Sequence, residues 1–152
     1  MKRAFALAII FGFLLCVSPA GGVAGTAVPE GSLASVDQML SVAEKQHEIA
    51  RLLIKEGRFE RVLPEMRKIL DLNLTGDYEQ AVAKSSSFIA YLLVEHKQYA
   101  IGHQLLDETI KKMRLDENIA SLLKIKAYLF KAEGKLGNAI ETLERSVELE
   151  QK

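Results

Sequence analysis

The sequence predicts an all-α domain of three antiparallel helix pairs, and three observations carry that prediction. Ala, Leu, Glu and Lys dominate the 152 residues, glycine (10) and proline (3) are scarce and tryptophan is absent. Such a composition suits neither a β-sandwich nor a disordered tail. Apolar residues recur at i, i+3, i+4 and i+7, the period of a helix with one buried face. Three turn positions, Gly57, Lys97 and Gly134, are flanked by matching residues. With 49% of residues hydrophobic, the chain can bury one core without covalent staples. A single cysteine excludes a disulfide framework and a cysteine-based zinc site. Equal basic and acidic counts, 20 each, give no overall pull toward nucleic acid or an anionic membrane.

Residues 1–20 read as a secretory signal peptide. Lys2 and Arg3 form its positive end, and residues 4–17 are apolar but for Gly12, short of the roughly 20 residues that a membrane span needs. Ser18-Pro19-Ala20 offers small residues for cleavage, and Gly25-Thr26-Ala27 offers a second site that would extend the signal to 1–27. Cys16 leaves with the signal. The expected location is exported, periplasmic or secreted, with no stable membrane span after cleavage. Residues 28–34 read as a flexible leader and 35–152 as the helical domain.

Within that domain, Ser35 and Gln38 form a capping box that opens helix one, and Gly57 stops it. Phe59, Val62, Leu63, Met66, Ile69 and Leu70 form the apolar face of helix two, with Pro64 in its first two turns. Gly76 suits a left-handed stop, and Asp77 with Gln80 opens helix three, which runs to about His96. Helix four covers about 98–113. Asp116 caps helix five, which ends near Gly134. Helix six runs almost to Lys152, with Leu136, Ile140, Leu143 and Val147 directed inward.

The three turns align the pairs. Seven residues before them stand Ala50, Ala90 and Ala127, and four before them Leu53, Leu93 and Phe130. Two after come Phe59, Tyr99 and Leu136; five after, the modest Val62, Gly102 and Ala139; nine after, Met66, Leu106 and Leu143; thirteen after, Leu70, Ile110 and Val147. Small residues at a fixed offset let paired helices approach, and larger ones fill the space between pairs. Segments 49–59 and 127–140 carry the pattern best, and over residues 43–151 the chain resembles the tetratricopeptide repeat family, with Lys97 where that family usually has glycine.

The resemblance implies a short right-handed solenoid and a non-enzymatic adaptor that binds a protein or peptide in the groove lined by its first helices. Carried over, that face takes His47, Arg51, Ile54 and Lys55 from helix one. Lys84, Ser87, Tyr91, Val94 and Glu95 come from helix three, and Lys124, Tyr128 and Lys131 from helix five. A basic, tyrosine-containing groove suits an acidic segment or a C-terminal carboxylate, and His47 would add charge below about pH 6.5. Repeat arrays also need cover over their last apolar face, so self-association as a homodimer, or a partner, is expected there. The alternative reading is an exported helical carrier holding a small ligand between its helices.

Catalytic and metal constellations are weak. His96 and His103 are separated by a predicted turn, and Ser121-Leu122-Leu123-Lys124 has the spacing of penicillin-recognising enzymes without their companion motifs. Asp71 to Glu79 resembles a calcium loop, but its twelfth position is Val82 rather than a bidentate glutamate. No enzyme activity, metal, cofactor or nucleic acid is expected.

Overall fold

Six α-helices and two short 3-10 turns account for the fold, with no strand among the described residues. The computed structural model describes residues 30–151, with side chains from residue 36. The signal-peptide reading of 1–20 or 1–27 lies outside them. The helices are α1 (Glu30–Lys55), α2 (Val62–Leu70), α3 (Glu79–Glu95), α4 (Tyr99–Lys112), α5 (Asp116–Ala132) and α6 (Leu136–Glu150). No described helix is long and apolar enough to cross a membrane.

Several boundaries differ from the sequence reading. α1 begins at Glu30, so Ser35 lies inside the helix and residues 30–34 of the expected leader are helical. Pro29-Glu30 is itself a helix-start signal, because proline presets φ and an acid in the first turn complements the helix dipole. Gly76 is left-handed as expected (φ 62°), but α2 ends earlier, at Leu70, and Asn73 also takes the left-handed conformation (φ 50°), one that asparagine tolerates better than most residues. Asp77 lies within the 3-10 turn Gly76–Tyr78 and makes no capping bond. The N-cap of α5 is Leu115 rather than Asp116. Pro64 is the third residue of α2, where a missing N–H breaks no helical bond, and the 3-10 turn Phe59–Arg61 precedes it.

The three aligned turns are the same structure. Gly57, Lys97 and Gly134 all have positive φ (74°, 58° and 79°). Around each, two nested bonds close the preceding helix: Gly57 and Arg58 N–H donate to Ile54 and Leu53 C=O, Lys97 and Gln98 to Val94 and Leu93, Gly134 and Lys135 to Lys131 and Phe130. Lysine therefore occupies a glycine geometry at the middle turn. A left-handed non-glycine residue costs about 1–2 kcal/mol, part of which is offset by glycine's larger unfolded-state entropy. Lys97→Gly is expected to raise stability by about 0.5–1 kcal/mol, read as a higher urea midpoint at unchanged slope.

Successive pairs interlock through one continuous core. α3 packs against α4 and α5, α2 against α3 and α4, and α5 against α4 and α6. Ala50, Leu53 and Ile54 tie α1 into the same cluster, around Met66, Ile89, Leu93 and Leu106. The small residues sit where the alignment places them: Val62, Gly102 and Ala139 are all buried. Gly102 is a point of close approach, since a Cβ there would lie 2.7 Å from Leu129 Cδ2 of α5. α6 departs from expectation. Ala139 and Ser146 are buried, Ser146 donating to Ala120 C=O at 2.9 Å, but Leu136, Ile140, Leu143 and Val147 are exposed. They share a helix face turned away from the one that meets α5.

Candidate interaction face on the first helices

The odd-numbered helices carry the expected site, and the structure brings part of it together. Tyr91 of α3 and Tyr128 of α5, each 42% exposed, set their ring centroids 4.9 Å apart at 48°. That is a favourable tilted aromatic arrangement, with both rings still open to solvent. Between α1 and α3, His47 Nδ1 hydrogen-bonds Ser85 Oγ at 2.7 Å and its ring lies 5.5 Å from that of Phe88. Ser85 and Phe88 were missed in the sequence, where their offsets from Lys97 are the only signal.

Ile54 and Val94 do not belong to the face. Both are buried in the core, and their backbone carbonyls accept the closing-turn bonds from Gly57 and Lys97 N–H. Ser87 is half-buried, and Lys55, Lys84, Glu95 and Lys131 are exposed.

Ion pairing changes the electrostatics from the sequence reading. Arg51 donates twice to Glu48, at 2.8 and 2.6 Å, and Lys124 pairs with Glu150 of α6. Lys84 donates only to the neutral Gln80, at 3.2 Å. Lys55, Lys84 and Lys131 thus remain as cations without an acidic partner among the described residues. Hydrogen bonding from Arg51 holds the Glu48 carboxyl below its ordinary range. Burial lowers the His47 pKa, with Arg51 adding to the effect and Glu48 opposing it. Charging His47 therefore takes more acid than the sequence suggests.

Other polar clusters are structural. Glu79 is buried at the start of α3 and accepts bonds from α5 and the segment before it. Asp71 and Asn73, oxygens of the calcium-like loop, both lie beside Lys112 Nζ, at 3.8 and 3.5 Å. No group of three or more His, Cys, Asp and Glu among the described residues is placed to hold a metal. Ser121 Oγ donates to the Glu117 carbonyl within its own helix, at 2.9 Å. A depression of about 440 Å³ between α5 and α6 is lined by Lys126, Phe130, Glu141, Arg145 and Glu148 among others, a mainly charged wall. No protein-family profile matches the chain, and no curated protein or solved structure matches it either.

Proposed function

We propose that this chain is an exported, non-enzymatic adaptor of the tetratricopeptide type, whose first helices bind an acidic protein segment. The observation that carries the reading is the exposed Tyr91–Tyr128 pair, which bridges two successive first helices. By helical spacing Lys84 lies two turns from Tyr91 and Lys131 one turn from Tyr128, so cations flank a flat amphipathic platform. Three identical turns, each closing one helix pair, support a repeat architecture. Export rests on the residues of segment 1–20.

The test is affinity capture from extract of the source cell's envelope and medium, with competition by a synthetic acidic peptide. Tyr91→Ser with Tyr128→Ser should weaken capture roughly tenfold or more, the scale of losing an aromatic anchor. Lys84→Glu with Lys131→Glu should do likewise, and capture should fall as salt rises. Capture unchanged in both double variants would remove this face as the site.

A further inference from the structure

The first and the last described helix, α1 and α6, each expose an apolar stripe. On α1, Val42, Ile49 and Leu52 lie on one outward face and are between 39% and 45% exposed. They stand 15, 8 and 5 residues before Gly57. The residues at those offsets in α3 are Val82 and Ile89, both buried, and Leu92, packed against the core. In α5 the last of them is Leu129, buried against Gly102 of the preceding pair. The exposed face of α1 is therefore the one that later first helices press into the pair before them.

The other end is the complement. Ile140, Leu143 and Val147 of α6 stand 6, 9 and 13 residues after Gly134 and, with Leu136, are between 46% and 60% exposed. At those offsets α2 has Leu63, Met66 and Leu70, all buried. α4 has His103, Leu106 and Ile110, and His103 there stacks on Phe130 of the following pair at 4.3 Å. The α6 stripe is thus shaped to receive a following first helix.

We infer that a second copy of this chain supplies it: α1 of one molecule docks on α5 and α6 of another, in the register that α3 and α5 use within the chain. Charge favours this occupant. Inside the chain Arg67, ten residues after its turn, pairs doubly with Glu108, eleven after the next, at 2.8 and 2.7 Å. At the junction the same offsets put Glu144 opposite Lys68 of the second copy. His47 meets Phe88 at offsets that would put Lys124 beside Glu48 of the second copy. The Tyr91–Tyr128 contact becomes Tyr128 against the Arg51 guanidinium. One like-charge approach accompanies these, Lys45 toward Lys124, with Glu150 beside the latter. Such a contact joins two different surfaces, so each added molecule leaves a free end and assembly is open rather than a closed dimer. The inference does not rest on the groove reading.

Sedimentation of the full chain over a wide concentration range tests it. Mass should rise steadily with concentration. Ile49→Asp with Leu52→Asp blocks one end, Ile140→Asp with Leu143→Asp blocks the other, and each variant alone should remain monomeric. Mixed one to one, they should form a species of twice the monomer mass and nothing larger, which also proves both folded. Glu144→Lys should weaken association at least tenfold, and adding Lys68→Glu to the same chain should restore it. A wild type that is monomeric at every concentration would overturn the inference. So would association that survives in either blocked variant, or blocked variants that do not pair when mixed.

Discussion

Glu79→Ala is expected to destabilise the fold by about 3 kcal/mol, as one buried donor, on Asn118, and two half-buried backbone donors lose their common acceptor. The Glu79 side chain joins the start of α3 to the segment that leads into α5, and the residue is only 1% exposed. Its Oε1 accepts from the backbone N–H groups of Arg114 and Leu115, both at 2.9 Å, and from Asn118 Nδ2 at 3.1 Å. Each unsatisfied donor costs about 1–3 kcal/mol, and water entering the vacated space recovers part of the sum. Glu79→Gln keeps one acceptor oxygen and should cost less than the alanine variant.

The same group sets a pH dependence. Burial pushes the Glu79 carboxyl up, but the bonds from Leu115, Asn118 and Arg114 outweigh it and hold the pKa below the ordinary 4.5. A depressed folded pKa means that the unfolded chain binds the proton first as pH falls. The stabilisation is therefore fully present above pH 4.5 and lost as pH drops through the folded value. Urea melts between pH 5 and pH 3 should show a shallower acid loss in Glu79→Gln than in the wild type. Equal acid limbs would assign the dependence to other carboxyls, such as Glu108 beside Arg67 or Glu133 beside Lys135 and His103.

A second large effect is expected where α4 meets α5. Leu129→Ala should cost about 2–5 kcal/mol, the range for truncating a fully buried leucine. Gly102→Ala in the wild type brings a methyl within 2.7 Å of Leu129 Cδ2, and Leu129 has no exposed surface toward which to retreat. Overpacking of this kind costs about 1–3 kcal/mol, against a gain of about 1 kcal/mol from replacing a mid-helix glycine. The net is destabilising. In the Leu129→Ala background the clash is gone, so Gly102→Ala should there stabilise by up to about 1 kcal/mol. A double-mutant cycle by chemical denaturation reads the reversal directly. The same sign in both backgrounds would show that the two side chains do not share the space.

The turn offsets from Gly57, Lys97 and Gly134 made the pairing of helices legible, because a fixed C-cap geometry sets the phase of the helix on each side. Less was legible wherever a distant group does a local job. Asp116 looks like a cap, but the oxygen that serves that segment belongs to Glu79, more than thirty residues earlier. Arg51 and Lys124 look like unpaired cations, and only the fold puts Glu150 beside Lys124. Leu136, Ile140, Leu143 and Val147 show helical periodicity and still face solvent, since an amphipathic pattern marks a face without saying what covers it.

The repeated turns also bear on how the chain reaches this structure. Three-residue connections, 96–98 and 133–135, and 56–58 before the 3-10 turn of the first pair, place the second helix of a pair beside the first with little chain to close, so most native contacts join near neighbours in sequence. A pair can then nucleate wherever local helicity first suffices and recruit the next by edge-wise growth, as in a one-dimensional lattice. Glu79 and its three donors join segments 35 to 39 residues apart. In such a sequence of events that latch closes only after the middle pair is in place, locking an order of assembly that the turns have already begun.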